Sequence, residues 1–347
     1  MKILIVRLSA LGDIVHAIPV LAAITRQWPE AQVDWLVEHA YAPVLSLATG
    51  LHRRIVVRGP ASADTADTIS FGGISAYASA ASYLRAQRYD AALDLQGLIK
   101  SATWARVSGA KRVIGFDAAH LREPLARRLY TETVVPPKNV HVIQKNLSLL
   151  QALEIDGGPL QLPLEPVPSS ATLEAIAAIG GAGKYLVLNP GAAWPNKRWP
   201  PEQFGLLAAA LYERTQLRSF VTWGPAERAL ADTVCRWSKG AAQTAPPTSI
   251  ADLAVLARDA ALVISGDTGP LHIAAAMGAP LVGLYGPTWP ERNGPWHPDD
   301  EVISRAGQCV CHHKRRCLTG SPCIETITLD EILAAADRRL ATAARAR

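Results

Sequence analysis

Several things are missing from this sequence, and each absence closes off a class. No apolar stretch approaches the roughly 18 uninterrupted residues of a membrane-spanning helix. Met1 to Val6 run straight into a polar turn, without the apolar core and cleavage site of an export signal. Together these lead us to expect a soluble, cytoplasmic protein. Charged residues are sparse, 19% against 49% hydrophobic, which excludes a disordered chain. Cysteine is limited to five, an odd number with Cys235 set apart, so a disulfide-stapled secreted domain is excluded as well. There is no G-x-G-x-x-G fingerprint, which speaks against a nicotinamide dehydrogenase, and no Walker sequence. No Asp-x-Asp pair is present to hold a divalent ion across a diphosphate, so neither metal nor cofactor is expected. Nothing repeats at a period of roughly 20 to 50 residues.

The charge balance is +5, which favours an anionic partner such as a nucleotide, an acidic sugar lipid or a membrane surface. The basic residues are scattered and come with no reading motif, so nucleic acid is not expected. At 347 residues the chain is long enough for two domains.

What is present alternates. Ile3 to Val6 is a short β-branched run closed by a glycine-containing turn, and Asp13 to Gln27 then places Ile14, Ile18, Leu21 and Ile24 at helical spacing. Strands are predicted at Val33 to Val37, Arg54 to Val57, Ala91 to Leu95 and Arg112 to Gly115, with helices over Ala76 to Gln87 and from Ile99. Alternation of this kind predicts a parallel sheet with helices on both faces. A proline-rich linker at 161–170 ends a first domain of 1–160, and the pattern restarts in a second domain of 171–328. Strands are predicted there at Tyr185 to Leu188, Ser219 to Thr222, Ala261 to Ile264 and Leu281 to Tyr285, with helices from Pro201, Glu227 and Pro270. The segment 329–347 reads as a helix that folds back on the first domain.

In open parallel sheets ligands sit beyond the carboxyl ends of the strands, so the turns leading from strand to helix carry the chemistry. The first, Ser9 to Asp13, offers a carboxylate at a helix start, where an acid serves equally as an ordinary capping residue. The second, Asn189 to Trp199, combines small residues with Lys197, a pattern that suits a phosphate cradle or a solvated basic loop. The third, Ser265 to His272, sets Thr268 and Gly269 before Pro270, so that free amides and the positive helix end are offered to a diphosphate. Its alternative is a plain capped helix with His272 packed in the first turn. Glu227, after Trp223-Gly224-Pro225, suits vicinal ribose hydroxyls or merely begins a helix.

The segments ILIVRLSALGDIVHAIPVL, DLQGLIKSA, REPLA, NPGAAWPNKRWP, SGDTGPLHIAAAMG and LVGLYGPTWPERNGPW together resemble the lipopolysaccharide heptosyltransferases, glycosyltransferase family 9. The likeness runs from the first strand to about residue 296, and DLQGLIKSA and REPLA resemble heptosyltransferase I more than II. It implies a GT-B fold: α/β, two facing Rossmann-like domains with parallel sheets and a cleft between them. It implies inverting transfer of L-glycero-D-manno-heptose from ADP-heptose to the Kdo of Kdo-lipid A, at the cytoplasmic face of the inner membrane. By resemblance, Asp13 is the general base; Ala192, Ala193, Lys197, Glu227, Thr248, Asp267, Thr268, Gly269 and His272 bind the donor. Ala192 and Ala193 depart from the hydroxyl residues some members carry, which leaves phosphate binding there to backbone amides.

For the acceptor's anionic groups, Arg53, Arg54, Arg58, Lys100, Arg122 and His141 are candidates, each otherwise a solvated surface group. A weak, peripheral attraction to the anionic membrane is expected from the basic surface. Cys309, Cys311, Cys317 and Cys323 lie close in sequence around His312 and His313, but they lack paired C-x2-C knuckles, so a redox-sensitive loop or simple packing is expected in place of a metal site. A nucleotide-sugar epimerase, a donor-binding protein without turnover, and heptosyltransferase II-type transfer to a heptosylated acceptor are the competing readings.

Overall fold

The computed structural model describes residues 1–59, 67–72, 76–312 and 314–345. It divides into two compact units, Met1–Glu165 and Pro166–Arg347. Each is built on one sheet in which every recorded strand pair runs parallel.

The first unit carries β1 (Lys2–Val6), β2 (Gln32–Glu38), β3 (Arg53–Gly59), β4 (Thr68–Gly72), β5 (Ala91–Asp94), β6 (Arg112–Phe116) and β7 (Glu132–Val134), in the spatial order β4-β3-β2-β1-β5-β6-β7. The order reverses between β1 and β5, so the loops after those strands diverge and leave a crevice at their carboxyl ends. The helix expected over Asp13 to Gln27 is in fact two, Leu11–Val15 and Ile18–Gln27. Pro19 has no N–H to give back to the preceding turn, so the chain restarts with that proline in a first turn, where no such bond is needed.

The second unit carries β8 (Tyr185–Asn189), β9 (Arg218–Val221), β10 (Ala242–Thr244), β11 (Leu262–Gly266), β12 (Leu281–Tyr285) and β13 (Glu301–Ser304), in the order β10-β9-β8-β11-β12-β13. Its reversal lies between β8 and β11. The period-two alternation of a strand buried on both faces is plain in β8: Leu186 and Leu188 join one core with Phe204, Leu207 and Ile264, while Tyr185 and Val187 join another with Val255, Leu256 and Leu271.

The last helix, Leu329–Arg345, buries Ile332, Leu333, Ala335 and Ala336 in the former core. Its partners there are the helix Pro201–Thr215 and strands β11, β12 and β13. The sequence reading looked to the first domain for this packing. The apolar stripe of the helix is instead completed within the second unit, and Arg339 forms a buried 2.9 Å ion pair with Asp300 there.

Candidate active site

In the first unit, the loop after β1 brings Asp13 into the first turn of the helix Leu11–Val15. Its Oδ1 lies 2.8 Å from the guanidinium of the buried Arg7, and its Oδ2 accepts the Ala10 N–H at 3.3 Å. The side chain keeps 36% of its surface open, so one carboxylate is oriented yet reachable. Arg7 also donates to the Leu95 carbonyl, across the reversal of strand order. Gln96 completes the link, accepting the Leu8 N–H at 2.8 Å.

The loop bearing Gln96 is organised by Asp94, which is fully buried. That carboxylate accepts from the backbone N–H groups of Gln96 and Gly97, from Ser101 Oγ at 2.9 Å and from Tyr130 Oη at 2.7 Å. Burial pushes the Asp94 carboxyl up and these hydrogen bonds oppose it. Tyr130 reaches it only because residue 115 is glycine: a Cβ there would meet the Tyr130 ring at 2.3 Å.

The proposed acceptor cations are placed unevenly. Lys100 Nζ and Arg58 meet at Glu38 Oε1, at 2.7 and 3.0 Å, beside the carboxyl end of β2. Arg53 and Arg54 begin β3, at the other end of that strand, where Arg53 bonds Tyr83 Oη at 3.1 Å and Arg54 pairs with Asp67. The structure does not bring these two together with Asp13. Arg122 is exposed, with no ion-pair partner shown among the described residues. His141 caps the helix Val142–Ser148 through Nδ1 and sets its ring edge-on to His16 at 5.3 Å, one residue past the Asp13 helix.

In the second unit the centre is Asp267, after β11. It is 4% exposed, and its carboxylate is surrounded by donors. Lys197 Nζ lies 2.5 Å away, Thr288 Oγ1 2.6 Å, Asn293 Nδ2 2.9 Å and His272 Nε2 3.2 Å. Burial alone would raise this carboxyl, but His272 and Lys197 overwhelm that effect and hold it far below the usual carboxylate range. Asp267 therefore fixes Lys197 and His272 and has little surface left for a ligand. Thr268 starts the helix Gly269–Ala276 with no side-chain cap on its first amides, and its hydroxyl lies 3.2 Å from Asn189 Nδ2. Asn189 in turn bonds Ser265 and the Gly191 carbonyl, joining the loops after β8 and β11.

Around this centre lie the remaining donor candidates. Glu227 sits against Gly191, where a Cβ would meet its Oε2 at 2.1 Å, so glycine alone admits the carboxylate to the edge of the lysine loop. Arg198 holds that loop through the Ala192 carbonyl at 2.7 Å; Ala192 is buried and Ala193 exposed. Thr248 follows β10, in a loop tied to the one after β9 by the Trp223 Nε1 bond to the Ala245 carbonyl at 2.9 Å. The structure thus gathers the loops after β8, β9, β10, β11 and β12 at one end of the sheet. Among the described residues no group of three or more His, Cys, Asp or Glu is placed to hold a metal ion, and no helix is long and apolar enough to cross a membrane.

Arg7, Gln96, Asn189, Thr288 and Asn293 were given no role from sequence. A signal existed for all five, since each lies in a segment that carries the resemblance, Gln96 in DLQGLIKSA, Asn189 in NPGAAWPNKRWP and Asn293 in LVGLYGPTWPERNGPW. Arg7 is the charge that interrupts the first apolar run, and Thr288 lies in the YGPT segment that carries part of the resemblance.

Residues 78–321 match the model of glycosyltransferase family 9 (heptosyltransferase). The chain belongs to that family. Within glycosyltransferase family 9 it is 30% identical over 326 residues to lipopolysaccharide heptosyltransferase 1 of Pseudomonas aeruginosa, covering 91% of this chain and 87% of that protein. It is 30% identical over 321 residues to the Escherichia coli K12 protein of the same name, covering 88% and 94%. The fold also matches E. coli heptosyltransferase WaaC, solved with ADP-2-deoxy-2-fluoro heptose, at a TM-score of 0.74 and 23% identity over 97% of this chain and 99% of that one. This member of the family is a glycosyltransferase with the GT-B fold.

Proposed function

We propose that this glycosyltransferase moves L-glycero-D-manno-heptose from ADP-heptose to a Kdo hydroxyl of Kdo-lipid A, the first heptose of the lipopolysaccharide inner core. The observation that carries the reading is the Lys197–Asp267–His272 cluster beside an uncapped helix start, in a chain of this family. The names of the relatives supply the sugar and the type of transfer, and the ADP analogue held by WaaC supplies the nucleotide.

In the reaction, Asp13 takes the proton of the acceptor hydroxyl as its oxygen attacks the anomeric carbon, opposite the departing diphosphate. Arg7 and the Ala10 N–H keep the carboxylate aimed, and its exposed surface is where the acceptor hydroxyl would approach. As the bond to phosphate breaks, negative charge grows on ADP. Lys197, held in position by Asp267, and the first amides of the helix Gly269–Ala276 would meet that charge from fixed positions. Glu227 accepts the ribose hydroxyls, Thr248 borders the adenine, and Ala192 and Ala193 leave their backbone to the phosphate. The charge is met by protein groups, so the transfer asks for no divalent ion. Lys100 and Arg58, joined by Arg122 and His141, are the first unit's best-placed groups for the anionic acceptor. The lipid portion of that acceptor puts the work at the cytoplasmic membrane surface, with the exposed cations adding a weak peripheral attraction.

Incubation with ADP-heptose and Kdo-lipid A, read by mass, tests the reading: one added heptose is expected, with EDTA without effect. Transfer only to an already heptosylated acceptor would move the assignment to the type II reaction. Thermal stabilisation by UDP and not by ADP would favour an epimerase-like site.

A further inference from the structure

The segment from Cys309 to Cys323 has no part in the transfer chemistry, yet it gathers four free thiols in the second unit. Cys311 Sγ lies 3.6 Å from Cys317 Sγ. The Leu318 N–H donates to Cys311 Sγ at 3.0 Å, and the Cys311 N–H donates to Cys309 Sγ at 3.3 Å, so backbone groups fix both sulfurs. Cys323 keeps company with Cys309, and burial pushes its thiol up to about 12. Cys317 is different. It is only half-buried, and the Thr319 hydroxyl 3.1 Å from its sulfur draws that thiol below its ordinary value. A reachable sulfur with thiolate character is what thiol exchange requires. His313, in the same segment, lies outside the described residues.

Between the two close thiols, the chain braces the loops that meet at Asp267. The Lys314 carbonyl accepts from Asn196 Nδ2 at 2.9 Å, one residue before Lys197. Asn196 is buried and its Oδ1 has no hydrogen-bond partner among the described residues, so its amide rests on that carbonyl. His312 Nδ1 lies 3.0 Å from the Pro287 carbonyl, one residue before Thr288, and its ring stacks on Trp289 at 5.4 Å.

We propose that Cys311 and Cys317 are a redox modification site: a low-molecular-weight disulfide such as oxidised glutathione converts them to an intrachain disulfide, and the turn this tightens weakens nucleoside diphosphate binding. The Cys317 thiolate attacks one sulfur of glutathione disulfide, whose S–S bond breaks to release one glutathione. Cys311 gives up its proton and attacks the Cys317 sulfur of the mixed disulfide, expelling the second glutathione. Two protein thiols are oxidised and one disulfide is reduced to two thiols. The sulfurs close from 3.6 Å to about 2.05 Å. That movement occurs inside a turn held by the Lys314 and His312 contacts, and loss of one such bond corresponds to roughly a two- to ten-fold loss of affinity. The link to the nucleotide rests on the donor site assigned above; the thiol chemistry does not.

The test titrates the full-length protein with oxidised glutathione, maps disulfides by peptide mass after alkylation, and measures ADP affinity before and after. The expected result is a Cys311–Cys317 link, an ADP dissociation constant raised about two- to ten-fold, reversal by dithiothreitol, and no response in Cys317→Ser. Absence of the link, a link with unchanged ADP affinity, an equal response in Cys317→Ser, or stoichiometric zinc retained by the untreated protein would each overturn the proposal. If the reduced protein fails to bind ADP, the donor assignment falls and the coupling with it, while the mass map still decides the thiol pair by itself.

Discussion

Asp13 and Asp267 both follow a strand and stand at the start of a helix, yet their surroundings give them different work. Asp13 is oriented by the Arg7 guanidinium and keeps 36% of its side chain exposed, which suits the proposed general base. Its replacement by alanine is expected to lower kcat by about 100-fold or more with ADP affinity nearly unchanged; single-turnover rates beside calorimetric ADP titrations would show it, and near-normal turnover would remove Asp13 from the mechanism. Asp267 is enclosed by four donor side chains and is held ionised. Its folded-state value lies below its unfolded one, so its contribution to stability is complete above about pH 4 and is lost as pH falls through the range beneath. Urea midpoints measured from pH 7 down to pH 2.5 should therefore fall more steeply for the natural protein than for Asp267→Asn. Parallel slopes would contradict the assignment. Sequence alone offered Asp267 as a donor ligand. Whether a carboxylate faces a ligand or is consumed by its neighbours depends on Thr288 and Asn293, which come from a distant stretch of chain, and no local pattern reports that.

At the level of elements, the interior strands were legible and the edges were not. The predicted runs correspond to β1, β2, β3, β5 and β6 in one sheet and β8, β9, β11 and β12 in the other. The strands with no sequence signal are β4, β7, β10 and β13, which are the four edges. A strand covered on both faces is apolar along most of its length, as YLVL is in β8, and that run is visible. An edge strand such as EVIS in β13 is half-exposed along its length and carries no comparable run. The final helix was legible as a helix, but the partner of its apolar stripe was not, because amphipathic spacing says which face is buried and not against what. Its anchor makes a test. Arg339→Leu leaves the Asp300 carboxylate buried without its cation and should cost about 3 kcal/mol. The loss, read from urea unfolding at several pH values, should shrink on acidification as Asp300 takes up a proton, since burial already raises that carboxyl.

Over the whole molecule, every loop proposed for the donor belongs to residues 166–347, which form a unit with its own sheet and cores. That fragment, expressed alone, is expected to bind ADP within about three-fold of the full chain and to transfer no sugar, because Asp13 lies in the other unit. Calorimetry on the fragment checks the first expectation and the mass assay the second; a fragment that folds but ignores ADP would show that residues before 166 are needed to complete the nucleotide site. In both units the groups assigned to chemistry project from strand ends, while the interior strands are largely apolar and enclosed. Recognition and framework are thus written in different stretches of the same polypeptide, and the few turns proposed to meet a nucleotide can be recast toward another base or sugar without rewriting the scaffold that displays them.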